Sequence, residues 1–121
     1  MNTIQQAVAH AEALIGKDAP GGPGHCEQFV RECLGLPAYA PSARVAASKV
    51  PPHEHHTEGF PHAIPAGAQV FYDMSEYGHV ALSLGGGLVA TNDYEVHGKI
   101  CKAPADLPKW GGARHFMFYT M

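Results

Sequence analysis

The fold is indicated most strongly by residues 79–91, which read HVALSLGGGLVAT. Two apolar runs, residues 79–84 and residues 88–91, are separated by the glycines at positions 85–87. Short apolar runs joined by a glycine turn are typical of a β-hairpin. We therefore predict two neighbouring antiparallel strands in this stretch, with His79 as the first residue of the first strand.

Outside this hairpin, the predicted helices come before the predicted strands. Apolar residues at helical spacing predict helices at residues 3–16, 26–34 and 42–49. Further strands are predicted at residues 69–72, 99–102 and 114–120. Because the helices precede the sheet, we expect an α+β fold in which N-terminal helices pack on a central antiparallel sheet of about five strands.

The length and composition of the chain limit its organisation and its partners. With 121 residues, of which 45% are hydrophobic, residues 1–121 are expected to form one domain. The formal net charge of −3 and the scattered basic residues argue against binding of nucleic acid. No stretch approaches the roughly 20 apolar residues of a membrane span, and residues 1–17 lack the pattern of a signal peptide. We expect a monomer made in the cytoplasm, with no membrane insertion and no cofactor.

Cys26 is the strongest candidate for a nucleophile among the three cysteines. It is predicted in the first turn of a helix, directly after Gly24 and His25, where free backbone N–H groups favour a thiolate. The same N–H groups can stabilise the oxyanion of a tetrahedral intermediate. Cys33 lies further along the helix and Cys101 lies in an apolar strand, so both are expected to be packing residues.

His79 is the expected base, because it opens a strand directly after Gly78, which has no side chain to crowd it. A catalytic histidine needs a further group that fixes its tautomer and its orientation. The neighbouring strand ends in polar residues, and Asp93 or Asn92 is expected to reach the far nitrogen of the ring, with Glu95 as a further alternative. Asp93 is preferred because a carboxylate also stabilises an imidazolium.

Four blocks of the sequence resemble CHAP domains (cysteine, histidine-dependent amidohydrolases/peptidases), which are relatives of the NlpC-type peptidases. Residues 24–30, GHCEQFV, are similar to the active-site cysteine motif, and residues 77–85, YGHVALSLG, are similar to the catalytic histidine strand. Residues 64–72, IPAGAQVFY, resemble the entry to the central sheet, and residues 91–100 resemble the segment that supplies the third catalytic group. The blocks follow the order of the family, and the likeness is strongest to small phage lysins of actinobacterial hosts.

The resemblance implies a papain-like fold and hydrolysis of an amide bond in bacterial peptidoglycan. That bond is a stem-peptide or cross-bridge amide, or the N-acetylmuramoyl-L-alanine amide. The implied mechanism is attack by the Cys26 thiolate, a thioester intermediate, and protonation of the leaving amine by His79. The family requires no metal, and its members act at the bacterial cell wall. The third catalytic group stays open between Asp93, Asn92 and Glu95.

Other interpretations of the sequence lead to different functions. A proline-rich loop contains a candidate set of zinc ligands, namely His53, Glu54, His55, His56 and His62. The loop lacks the HExxH motif by which a helix binds zinc. An inactive papain-like module that binds wall fragments or a partner protein would keep the fold without the chemistry. A papain-like toxin or effector would keep the chemistry and act on a different substrate.

Overall fold

The computed structural model describes residues 1–121, which form four α-helices and five strands. The helices are α1 (Ile4–Leu14), α2 (Cys26–Leu34), α3 (Ala43–Ser48) and α4 (Gly112–His115). The strands are β1 (Gln69–Tyr72), β2 (His79–Gly85), β3 (Leu88–Asn92), β4 (Ile100–Pro104) and β5 (Phe116–Tyr119). Short 3₁₀ turns at Pro52–Glu54 and Pro108–Trp110 lie in the connecting segments. The predicted α+β class and the antiparallel sheet of five strands are confirmed.

The sheet is antiparallel throughout, with its strands side by side in the order β4-β3-β2-β1-β5. The predicted hairpin therefore supplies β2, which is the central strand, and its neighbour β3. Val80 and Leu82 of β2 belong to the apolar cluster that also contains the helices, whereas Ala81 belongs to the cluster on the other face. Because successive residues of a strand point to opposite faces, this alternation places each candidate side chain on one side of the sheet.

The helices are short, and none combines the length and the hydropathy needed to cross a bilayer. α1 begins at a capping box, in which the side chains of Thr3 and Gln6 each accept the backbone N–H of the other residue. Ala7 and Ala11 of this helix are fully buried in the same cluster as Phe29 of α2. The two helices thus cover one face of the sheet together.

α2 carries the predicted nucleophile at its first position. Its buried residues Cys26, Phe29, Val30 and Cys33 follow the i, i+3, i+4, i+7 spacing that places side chains on one helix face. The helix ends at Gly35, whose φ of 71° is the left-handed conformation common at helix ends. Since the apolar face fixes the rotation of the helix about its axis, Cys26 faces the sheet.

Four strands have limits that differ from the prediction: β2 and β3 each extend one residue further, to Gly85 and Asn92, and β4 is Ile100–Pro104 rather than residues 99–102. β5 begins at Phe116 rather than at residue 114, because Gly111, with a φ of 64°, leads into the helical turn α4. β3 ends at Asn92, because Asp93 has a φ of 68° and turns the chain out of the strand. The strand therefore stops directly before Asp93, the residue preferred from the sequence as the partner of His79.

Candidate active site

Cys26 lines a polar cleft of about 200 Å³ beside the start of α2. The walls are formed by α2 itself, by the segments before α2 and α3, and by the end of the β1–β2 connection. Glu27, Arg31, Tyr77 and Gly78 are among the lining residues. Cys26 is only 7% exposed, so a substrate would have to reach its thiol through this cleft.

The approach to α2 is held in place by the segment between β3 and β4. Gly24 donates its backbone N–H to Oδ2 of Asp93 at 2.8 Å, and Gly98 donates to Oδ1 of the same carboxylate at 2.7 Å. The exposed side chain of Lys99 reaches Oδ1 of Asp18 at 2.6 Å. Asp93 therefore fixes the backbone two residues before Cys26, where the chain enters the helix.

Burial dominates the acid–base behaviour of Cys26. It raises the pKa of the thiol to about 11, and the carboxylate of Asp93 acts in the same direction. The backbone N–H groups of Val80 and Glu27 lie near the sulfur and oppose this rise in pKa, because they favour the thiolate. At neutral pH Cys26 is therefore a neutral thiol, whose proton must leave before or during attack on a substrate.

His79 is the first residue of β2, and its ring lies on the face of the sheet opposite to α2. The ring packs against Tyr72, with centroids 6.0 Å apart, and edge-on against Trp110, with centroids 5.1 Å apart. Its Nε2 atom forms a 2.6 Å hydrogen bond with Oγ1 of Thr91 in β3. Both residues are buried, so this short hydrogen bond and the aromatic contacts fix the orientation of the ring.

The imidazole of His79 is neutral at neutral pH. Burial lowers its pKa to about 4, because an imidazolium loses its hydration there, and the negative charge of Asp93 only partly offsets this effect. A neutral imidazole has one N–H donor and one acceptor nitrogen. Since Thr91 occupies Nε2, Nδ1 is the nitrogen that remains for exchange of a proton.

The side chains of Cys26 and His79 both lie at the start of β2, but on opposite faces of the sheet. The sulfur lies near the N–H of Val80, the ring lies over the opposite face, and no hydrogen bond joins the two side chains. Gly78 lines both the cleft beside Cys26 and a second cleft of about 220 Å³ that His79 lines. A Cβ atom on Gly78 would lie 3.0 Å from the backbone nitrogen of Arg44, so glycine at this position allows the close approach of α3.

The structure places Thr91 at the far nitrogen of the histidine ring, where the sequence predicts Asp93 or Asn92. Asp93 influences the ring only through its charge, because both its oxygens accept backbone N–H groups. Asn92 is fully buried on the α2 side of the sheet, and its Oδ1 has no partner. Glu95 is paired with a lysine at 2.6 Å on the surface. Only the register of β2 against β3 would identify Thr91 as the partner of His79. The sequence does not determine that register, because the turn consists of consecutive glycines.

The other cysteines and the histidine-rich loop do not line the clefts beside Cys26 and His79. Cys33 is fully buried, which raises its pKa to about 12, and Cys101 is partly buried in β4. In the loop, His55 stacks on Phe118 with ring centroids 3.6 Å apart, and His56 lies 3.1 Å from a neighbouring carboxylate. No group of three His, Cys, Asp or Glu side chains converges as metal ligands do.

Comparison with known proteins adds no family to this description. Neither a protein-family model nor a curated protein matches the chain. The assignment of a function therefore depends on the sequence blocks and on the geometry around Cys26 and His79.

Proposed function

We propose that the chain is a papain-like cysteine hydrolase that cuts an amide bond of bacterial peptidoglycan, with Cys26 as nucleophile and His79 as base. Three features support the proposal. A cysteine opens a helix and lines a polar cleft. A histidine opens the adjacent central strand, and a buried hydroxyl holds its far nitrogen. The blocks around the two residues resemble those of CHAP domains and follow the same order.

The arrangement of these two residues at Gly78 carries the proposal. The sulfur of Cys26 would attack the carbonyl carbon of the amide while its proton moves to Nδ1 of His79. Cleavage of the C–N bond then releases the amine with that proton and leaves a thioester on Cys26. Water hydrolyses the thioester, giving a carboxylic acid and restoring the thiol. In this mechanism the N–H groups of Val80 and Glu27, which favour a thiolate, would also stabilise negative charge on the substrate oxygen.

The resting state of this pair is neutral rather than an ion pair. The pKa of Cys26 is raised to about 11 and that of His79 is lowered to about 4, so neither group is charged at neutral pH. Proton transfer therefore has to accompany attack, and it requires rotation of one side chain or a bridging water at Gly78. Asp93 contributes by stabilising the imidazolium that forms during this step.

The proposal is tested by lysis of purified actinobacterial cell walls. Turbidity is followed for the wild type and for Cys26→Ala, and the released fragments are identified by mass spectrometry. Clearing by the wild type alone is expected, and new amino termini would distinguish a peptide endopeptidase from an N-acetylmuramoyl-L-alanine amidase. Equal clearing by the folded Cys26→Ala protein would contradict a cysteine mechanism.

A catalytically inactive wall-binding module is the second candidate function. The neutral state of both groups and the absence of a hydrogen bond between them favour it. Co-sedimentation of the protein with cell walls distinguishes the two functions. A binding module would sediment equally well as wild type and as Cys26→Ala, and it would release no fragments.

A further inference from the structure

Two of the three buried side-chain polar atoms that lack a partner belong to residues that line one cleft. The three atoms are Glu27 Oε1, Arg31 Nε and Asn92 Oδ1. Glu27 and Arg31 line the cleft beside the nucleophile, and Asn92 is linked through the Asp93 carboxylate to the backbone of Gly24 in the same cleft. Buried polar groups almost always have a partner, and an exception calls for a physical reason such as a bound ligand, ion or water, strain or a catalytic role.

Glu27 and Arg31 do not satisfy each other. Arg31 Nε lies 3.9 Å from Glu27 Oε2, which is too long for a hydrogen bond. The remaining contacts of the guanidinium are also long, at 3.8 Å to Glu32 and 3.4 Å to the carbonyl of Leu36. An acceptor and a donor of opposite charge therefore stand next to each other in the cleft wall with hydrogen-bonding capacity unused.

We infer that the cleft beside Cys26 binds an α-amino-carboxylate group of the substrate, whose ammonium donates to Glu27 and whose carboxylate accepts from Arg31. Such a group carries both charges on one carbon, which matches two opposite charges on successive turns of one helix. The unpaired atoms are buried in the structure, so the ligand would have to bring about rotation of both side chains towards the cleft. The exposed ring of Tyr77 at the rim offers an aromatic face to the ammonium.

A ligand with a single charge fits this cleft less well. A simple cation would leave Arg31 Nε without a partner, and a simple anion would do the same to Glu27 Oε1. Only a ligand that carries both charges satisfies both groups at once and so gains two charge-assisted contacts. The inference builds on the proposed hydrolysis and narrows its substrate to an amide bond that neighbours a free amino-acid head group.

The first test uses synthetic peptides that share one scissile amide and differ only at the neighbouring head group. The head group is free, N-acetylated, or converted to its carboxamide. For the wild type we expect kcat/KM to fall about tenfold with either cap, the size of one lost charge-assisted hydrogen bond. Glu27→Gln should lose the discrimination against the acetyl group only, and Arg31→Gln should lose the discrimination against the carboxamide only.

Glu32→Gln is the matched control, because Glu32 also approaches Arg31 but does not line the cleft. This variant should keep both preferences. If Glu27→Gln and Arg31→Gln lower the melting temperature but leave both preferences intact, the pair is structural and the inference is wrong. The same conclusion follows if the wild type cuts all three peptides equally well.

A binding experiment separates this inference from the proposed hydrolysis. Folded Cys26→Ala protein is titrated with alanine, N-acetylalanine and alaninamide while backbone NMR signals of α2 are followed. We expect alanine to shift the signals near Glu27 and Arg31 and to bind about tenfold more tightly than either capped form. If Cys26→Ala binds alanine in this way but the wild type cleaves none of the peptides, this inference stands and the proposed hydrolysis is wrong. Equal binding of all three, or none, would overturn it.

Discussion

The two sides of β2 differ in how completely their polar groups are paired. On the side of His79, the ring bonds to Thr91, and the hydroxyl of Tyr72 donates to the carbonyl of Ala105 at 2.6 Å. On the side of Cys26, the cleft wall holds Glu27 and Arg31 atoms that have no partner. On the His79 side these polar groups are hydrogen-bonded within the protein, whereas on the Cys26 side two of them remain available to a ligand.

This difference shows how one short strand can serve both halves of the proposed reaction. The base must be held in one tautomer and one orientation, which a closed and satisfied environment provides. The nucleophile must meet a substrate, which requires a cleft with unused polar groups. Burial has a cost on both sides, because it shifts the pKa of Cys26 upwards and that of His79 downwards, away from the charged forms.

The largest effect is expected at the two reacting side chains. Cys26→Ala and His79→Ala should each lower the rate of fragment release about ten-thousandfold, since nucleophile and base act as one unit. Cys101→Ala should stay active. Cys33→Ala should also stay active, with a stability loss of about 1–2 kcal/mol from the missing sulfur in the core. A folded but inactive Cys101→Ala protein would show that the wrong thiol has been assigned.

Alkylation of Cys26 measures the consequence of burial on its side of the strand. Iodoacetamide reacts with the thiolate, and the thiol of Cys26 has a pKa raised to about 11. The rate should therefore rise about tenfold per pH unit from pH 7, reaching about a thousandfold by pH 10. Peptide mass spectrometry follows Cys26 separately from the other two cysteines. A rate that is already constant below pH 7 would indicate a thiolate–imidazolium pair instead.

Acid sensitivity measures the consequence of burial on the side of His79. Its pKa is about 4 in the folded protein, below its ordinary value of 6.5, so the unfolded chain binds the extra proton first. Protonation of the unfolded chain therefore lowers the free energy of unfolding as the pH falls from 6.5 towards 4. The loss is zero above pH 6.5 and reaches about 3 kcal/mol at pH 4. Urea denaturation at several pH values measures the loss.

His79→Gln is the variant that isolates this contribution, because glutamine does not titrate. Its stability should fall less steeply between pH 6.5 and pH 4 than that of the wild type. His10→Gln, which changes an exposed histidine of α1, should leave the slope of the wild type unchanged. Equal slopes for His79→Gln and the wild type would mean that the ring is not held neutral by burial.

The smallest effect is expected where Thr91 orients the ring. Thr91→Val keeps the shape of the side chain but removes the 2.6 Å hydrogen bond to Nε2, so kcat should fall about tenfold. Thr91→Ser keeps the hydroxyl and should retain most of the activity. ¹⁵N shifts of the ring report the tautomer directly. If Thr91→Val has the tautomer and the activity of the wild type, the hydroxyl plays no orienting role.

Elements with strong local signals were predictable from the sequence. α2 begins at Cys26 and ends before Gly35, as apolar spacing and the glycine predict. The hairpin of β2 and β3 follows from two apolar runs and a glycine turn. The short turn α4 had no comparable pattern, because its four residues begin with Gly112, directly after Gly111, and run into the strand predicted from residue 114.

The partner of His79 was not predictable for a different reason. The pairing of β2 with β3 contains an irregularity between Ser83 and Gly85, so no count of residues fixes which side chain lies opposite the ring. In addition, Asp93 adopts a φ of 68°, which ends the strand at Asn92, so the side chain of Asp93 does not follow the alternation of the strand. Tertiary register and one left-handed residue therefore determine that Thr91, and not Asp93, contacts the ring.

The central claim is that Cys26 forms a covalent intermediate with a wall amide, and trapping that intermediate tests it most directly. The protein is mixed with purified peptidoglycan fragments, quenched in acid within the first turnovers, and analysed by intact and peptide mass spectrometry. We predict an added acyl mass on the peptide that contains Cys26, sensitive to hydroxylamine as a thioester is, and absent from Cys26→Ala. Release of fragments with no adduct on Cys26, or with the adduct on Cys101, would contradict the account.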